Sequence, residues 1–279
     1  AMLSGVVIAS LTLAYGWRFA FLCTGAVGLL WLAAWLVLYN PPYLNRWLSE
    51  REYASFRDEI APPQETRPAG ARVPWQQVIT NRGCWTLILA RFFTDPVIYF
   101  VIFWLPEYLQ KERGFNLASV GKYSWAPYAF GGIGYVFGGW LSGRLMRSGW
   151  TLPKARKGIM LAGAALVPIA IFAPYFPRAW MAIGATCFIT FGHALWTSNL
   201  QTLPTDLFRG TEVGTASGFS GMGGAVGGML ANLGTGYVVS HFSYSPVFLL
   251  AGLMHPLSIG LVYWLLPDWR FPAEGAPKS

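Results

Sequence analysis

Eight apolar runs constrain this chain more than any other feature. They lie at about 1–15, 18–39, 83–106, 120–143, 158–175, 179–203, 212–240 and 244–266, with polar connections between them. Each after the first approaches the roughly 20 residues that an α-helix needs to cross a bilayer. In hydrocarbon the backbone must satisfy its own N–H and C=O groups, so runs of this length fold as helices. The expected fold is all-α, a polytopic membrane helix bundle. The first run is short and ends at Tyr15-Gly16-Trp17-Arg18. It is read as a truncated helix, which makes the chain an N-terminally truncated fragment.

Composition agrees, with 54% hydrophobic residues, 11% charged and a mean hydropathy of +0.42, where soluble domains carry about 25% charged residues. A net charge of +8 is compatible with nucleic-acid binding only where basic residues form a face with aromatics. Here they fall in loops, and no nucleic-acid partner is expected. Of the 20 lysines and arginines, fourteen lie on the side of the segment after Tyr39 and five on the other, leaving Arg91 within a run. The positive-inside rule then puts that segment and the C-terminus in the cytoplasm. Cys23, Cys84 and Cys187 sit in or beside apolar runs without metal-ligand spacing, so neither a disulfide framework, a metal site nor a cofactor is expected.

The longest connection divides the chain. Residues 1–39 hold two helices, 40–82 a central cytoplasmic loop, 83–267 a six-helix bundle and 268–279 a tail. Pro41-Pro42, Pro62-Pro63, Pro68 and Gly70 punctuate the loop. Ser49 and Glu52 have capping-box spacing, which predicts a short amphipathic helix over 49–60 lying on the membrane surface. Its charges form a solvated face or, alternatively, a partner-binding one.

The stretch from Phe191 to Met229 predicts two closely packed membrane helices joined by a short charged hinge. Glycine costs about 1 kcal/mol in an ordinary soluble helix, but small residues four apart let membrane helices approach closely. Gly214 with Gly218, Gly223 with Gly227, and Gly224 with Gly228 form such a face. A flexible loop is the alternative, opposed by the apolar Met222, Ala225, Val226, Met229 and Leu230.

Arg91 and Asp95 are the ionisable pair within an apolar run, and charges at that depth are costly unless paired. Their i, i+4 spacing predicts mutual neutralisation. Direct anion binding by Arg91 and proton binding by Asp95 are the alternatives. Pro96 follows and predicts a kink or unwound turn, with Tyr99 one turn beyond. Tyr128 and Tyr135 share a helix face with Gly132 and Gly139.

A long connection followed by six helices, with a basic loop after the second of them, resembles the C-terminal half of a major facilitator superfamily transporter. The segment from Gly139 to Arg147, GWLSGRLMR, resembles the superfamily's G-x-L-x-D-R-x-G-R signature, although Gly143 replaces the usual acid. A closer resemblance is to the anion:cation symporters, hexuronate transporters among them. It rests on Thr94-Asp95-Pro96, the segment Phe103 to Leu109, Arg113-Gly114-Phe115, the segment Phe137 to Gly143, Ala155-Arg156-Lys157, the stretch His193 to Gly228, and Gly16-Trp17-Arg18 with Phe21. The resemblance implies that the chain runs from the fifth helix to the twelfth. The carboxylate-gripping arginine and proton-carrying acids of the family are expected in the first and fourth helices, which the sequence does not contain.

Such transporters hold substrate near the midplane between two helical bundles. His193, Trp196 and Asn199, at i, i+3 and i+6, cover about 120° of a helix and can face one cavity, where Asn and Trp suit a sugar acid. The alternative is that Ser198, Asn199 and Trp196 pack between helices and that His193 is satisfied by a neighbouring helix. His255, beside Pro256, is read as structural. Tyr99 and Tyr128 complete the substrate-binding candidates.

The expected function is import of an organic anion, a hexuronate or related sugar acid, with protons across an inner membrane by alternating access. An aromatic-acid or dicarboxylate importer is the nearest alternative, and a channel or structural subunit the alternative of another class. The expected partners are the anion, protons, lipid and the missing N-terminal helices. No H-E-x-x-H, convergent carboxylate pair or nucleophile motif points to an enzyme.

Overall fold

A computed structural model describes residues 4–40, 45, 47–52, 54, 75–208 and 212–267. The tail expected at 268–279 lies outside the described residues. The regular structure among those described is entirely helical. The chain divides into two compact units, Val7–Val73 and Pro74–Ser279 with Ala1–Val6.

Helix α1 (Ser4–Tyr15) is followed by α2 (Trp17–Leu38). Between them Gly16 adopts φ +85°, a left-handed conformation that an L side chain rarely takes. Helix α2 has a mean hydropathy of 2.1 and buries only Ala20. A helix apolar on all faces and exposed on nearly all of them needs lipid or protein around it. In the central connection the Ser49 N–H and Oγ donate to Glu52 Oε2 at 3.2 and 2.7 Å, and the Glu52 N–H donates to Ser49 Oγ at 3.3 Å. This is the expected capping box, and the Ser49 donors hold the Glu52 carboxyl below the usual carboxylate range. Residues 50–52 and 54 are helical, while 55–60 of the expected helix lie outside the described residues.

The second unit runs through α3 (Trp75–Ile79), α4 (Arg82–Phe103), α5 (Leu105–Lys111), α6 (Leu117–Tyr123), α7 (Trp125–Arg147) and α8 (Leu152–Leu166). A 3-10 segment (Val167–Tyr175), α9 (Ala179–Leu200), α10 (Leu203–Leu207), α11 (Glu212–His241) and α12 (Ser245–Leu265) complete it. Two runs read as single helices are divided. The run at 120–143 breaks at Ser124, between α6 and α7, and the run at 158–175 changes from α to 3-10 at Val167. Pro168 and Pro174 cause the second change, because each lacks the N–H that would bond the carbonyl four residues earlier. Among the described residues, 17–38, 82–103, 152–175, 179–207 and 245–265 are long and apolar enough to cross a membrane. Helices α7 and α11 have the length, at 23 and 30 residues, but their glycines lower the hydropathy.

Helix α9 is buried along most of its length, with α7 and α8 against it. Helix α11 packs instead on α4. This corrects the expectation that the 191–203 and 212–229 segments form one tight pair: consecutive in sequence, they take different partners. The glycines of α7 serve the α9 contact. A Cβ at Gly134 would lie 2.8 Å from the Phe191 carbonyl oxygen, and one at Gly138 would lie 2.3 Å from Ser198 Oγ. Gly163 and Gly192 face each other, each with its Cβ position within 2.8 Å of the other's carbonyl oxygen.

One end of the bundle is closed by Arg113. Its Nη1 donates to Phe176 O at 2.7 Å, its Nη2 to Ala173 O and Pro174 O at 2.8 Å, and its Nε to the Tyr108 hydroxyl at 2.7 Å. The guanidinium thereby satisfies carbonyls that the proline-broken segment leaves without helical donors. At the other end the buried Lys157 ammonium donates to Leu266 O at the C-terminus of α12, where the helix dipole favours a cation. Replacing Arg113 by Ala should cost about 1.5–3 kcal/mol. A melting midpoint of the full-length protein unchanged by Arg113→Ala would contradict that role.

Candidate functional site

Polar side chains converge where α4, α7, α9, α11 and α12 bring their middle turns together. On α4, Arg91 Nε donates to Asp95 Oδ2 at 2.9 Å, so the i, i+4 spacing does form an ion pair. Its side chains are 27% and 7% exposed. Helix α4 is continuous from Arg82 to Phe103, so Pro96 does not unwind it. Pro96 cannot bond the Phe92 carbonyl, and that oxygen lies instead against α11, 2.2 Å from where a Cβ at Gly227 would stand.

The glycine face of α11 is moulded onto these groups. A Cβ at Gly223 would lie 2.6 Å from Ile88 O, one at Gly224 2.1 Å from Asp95 Oδ2, and one at Gly228 2.1 Å from the Tyr99 ring. Real Cβ atoms do not approach so closely, so glycine is what permits this contact. Gly214 and Gly218 differ, since among the described residues nothing lies within 4 Å of a Cβ built there. Tyr99, half-buried, also stacks on Phe103 with ring centroids 6.1 Å apart.

His193, Trp196 and Asn199 share a face of α9, as their spacing predicts, and that face points into the bundle. All three are buried. His193 Nδ1 lies 3.2 Å from His255 Nε2 on α12, and Thr197 Oγ1 lies 3.1 Å from His193 Nε2. The Trp196 ring meets His255 edge to face at 5.7 Å. Asn199 Nδ2 donates to Leu195 O at 3.1 Å and Ser198 Oγ at 3.3 Å, while Asn199 Oδ1 accepts from Arg156 Nη1 at 3.4 Å. Arg156 also donates to Ser142 Oγ at 3.4 Å and pairs through Nε with Asp206 Oδ2 at 3.1 Å. The amide of Asn199 is therefore engaged within the bundle. Trp196 Nε1 and His255 Nδ1 are buried with no hydrogen-bond partner among the described residues.

Tyr128 is half-buried on α7. Tyr135, two turns on, is 42% exposed, and its hydroxyl lies beside Thr197. Sequence reasoning left out the pairing of His255 with His193. The signal was there, because both lie inside apolar runs, where isolated polar groups are costly and seek one another. It also left out Arg156 and Asp206, which it assigned to loops. Gly143 has open space around it, so packing does not demand glycine where the loop signature usually carries an acid.

A cavity of about 320 Å³ lies between α4, α11 and α12, walled by Pro96, Phe100, Gly227, Leu230, Val247 and Met254 among others. Its apolar lining does not suit a polyhydroxylated anion. Among the described residues no group of three or more His, Cys, Asp or Glu is placed to hold a metal ion.

The chain is similar over its whole length to the hexuronate transporter of Escherichia coli, at 29% identity over 283 residues covering 64% of that protein. It is similar to the D-galactonate transporter of Escherichia coli, at 26% identity with 88% of this chain and 60% of that protein covered. The galacturonate transporter of Dickeya chrysanthemi is 32% identical over 50% of this chain and 40% of its own length. The chain thus spans a little under two thirds of the length of the first of these relatives. The Major Facilitator Superfamily pattern matches residues 1–208 and again 148–279. Apolar helices of bilayer length, paired charges within them and helices joined through glycine seams all agree with that match: the chain belongs to the Major Facilitator Superfamily and is a multi-pass membrane protein.

Proposed function

We propose that the full-length protein is an inner-membrane symporter that imports an organic anion, a hexuronate or related sugar acid, with protons by alternating access. The carrying observation is the similarity, over the whole of this chain and 64% of the relative, to a hexuronate transporter in a chain that keeps a paired arginine and aspartate inside a membrane helix. Helices upstream of Ala1 complete the transport path, and the C-terminus is cytoplasmic, in accord with the fourteen basic residues on its side of the membrane. The bundle of residues 83–267 forms one wall of the substrate cleft.

In this reading Arg91, Asp95 and Tyr99 form the polar part of that wall, and Tyr128 on α7 is a further candidate. His193, Trp196 and Asn199 stiffen it from within the bundle. Uptake of labelled glucuronate by cells expressing the full-length protein is the test. Uptake should be suppressed by unlabelled sugar acids and by collapse of the proton gradient. Transport of neutral sugars without competition by sugar acids would overturn the substrate, and substrate flux with no accompanying proton flux would overturn the coupling.

A further inference from the structure

Helices α11 and α12 both pack on α4 but scarcely on each other, which leaves a groove between them. The apolar cavity of about 320 Å³ lies in that groove, with Pro96 and Phe100 on its α4 side and Thr235 as the one polar side chain among its described walls. Leu230 of α11 and Leu250 of α12 line it and are 51% and 52% exposed. The groove therefore opens on the apolar outer surface of the bundle, the surface that a membrane protein turns to lipid. Gly234 also lines it, and a Cβ built there meets nothing within 4 Å. Packing does not demand glycine at that position, and the missing side chain leaves the groove wide.

Its dimensions are those of a lipid tail. The groove follows α11 from Gly227 to Val238, eleven residue steps or about 16 Å at 1.5 Å per residue. That is the depth of one leaflet in a hydrocarbon core about 30 Å thick. Tyr237 and His241, both exposed and stacked with ring centroids 4.3 Å apart, stand at the end where α11 turns into α12, as aromatic residues do at headgroup level. A cavity of about 150 Å³ holds benzene, so one of about 320 Å³ has room for about 12 carbons. One turn of a partner's α-helix, about 10 Å across and 5.4 Å long, needs about 420 Å³ and does not fit.

We propose that the groove between α11 and α12 is a binding site for one acyl chain of a membrane phospholipid, seated against α4 with its headgroup at the Tyr237–His241 end. No lysine, arginine or carboxylate is among the described walls, so the site recognises the tail and not the headgroup. An empty groove forfeits the dispersion contacts of its lining. The tail supplies them and fills the space that keeps α11 and α12 apart on α4.

The test reconstitutes the full-length protein in phosphatidylcholine vesicles containing a phosphatidylcholine with a diazirine in one acyl chain, followed by illumination, digestion and mass spectrometry of the labelled peptides. Label should concentrate on residues 227–238 and 247–254 over the segment around Phe172, which is comparably exposed. Added dodecane should compete for the groove and spare Phe172. Gly234→Leu places a side chain in the same space, so the tail overpacks it and groove labelling should fall roughly tenfold. Should Gly234→Leu fail to fold, competition by dodecane in the natural protein decides alone. A diazirine probe with a phosphatidylglycerol headgroup should label the same residues, and a pattern that follows the headgroup overturns recognition of the tail. Groove labelling no higher than that around Phe172, or unmoved by dodecane, overturns the site. A groove that takes no label at all is covered by protein, which overturns it equally.

Discussion

Replacing Arg156 by alanine is expected to destabilise the full-length protein by up to about 3–5 kcal/mol, the upper figure being the cost of removing one partner from a fully buried ion pair. Arg156 and Asp206 are only 14% and 12% exposed. The guanidinium holds three elements together through Asp206 on α10, Ser142 on α7 and Asn199 on α9. Its removal strands a carboxylate and an amide oxygen with no other cation among the partners described for them. Asp206→Asn should cost less, because the amide oxygen still accepts from Nε. Asn199→Ala should cost about 1–2 kcal/mol as a lost hydrogen bond. The melting midpoints of these variants, measured side by side in detergent, check the order. If Asn199→Ala leaves the midpoint unchanged but abolishes glucuronate binding, Asn199 is a substrate residue rather than a member of this network.

The second large effect is expected at Gly227. A Cβ there would stand 2.2 Å from the carbonyl oxygen of Phe92 and 2.9 Å from its carbonyl carbon. Neither is the end of a flexible side chain, so α11 must move off α4. Overpacking of this kind costs about 1–3 kcal/mol, and it acts at the contact that holds Asp95 against Gly224. Gly227→Ala should therefore lower both the melting midpoint and transport. Gly214→Ala is the control, because a Cβ there meets nothing among the described residues. It should leave stability unchanged or raise it by up to about 1 kcal/mol through helix propensity. Equal losses at both positions would show that glycine serves helix flexibility and not close approach.

These two predictions show how differently the parts of the chain could be read in advance. The α4 ion pair was legible because i, i+4 spacing on one helix is a local property, and the capping box at Ser49 and Glu52 is local in the same way. The partners of the glycine face were not legible. Gly223, Gly224, Gly227 and Gly228 announce close approach, but glycine carries no side chain to specify which helix approaches. Proximity in sequence suggested the 191–203 segment, whereas α11 packs on α4, more than a hundred residues earlier. Likewise the arc shared by His193, Trp196 and Asn199 was correct, but its direction was not available from spacing. A helix of period 3.6 has the same polar arc whether that arc faces a cleft or a neighbouring helix.

The sequence by itself determined the helices, their approximate ends and the membrane environment, because hydrocarbon leaves a run of apolar residues one way to satisfy its backbone. Tertiary structure alone decided which buried polar groups are spent on one another. Asn199 and His193 find partners on α8 and α12, so their hydrogen-bonding capacity turns inward. Arg91, bonded only through Nε among the described residues, keeps its outer edge. That distinction depends on atoms brought within about 3 Å across elements far apart in the chain, a distance no local pattern encodes.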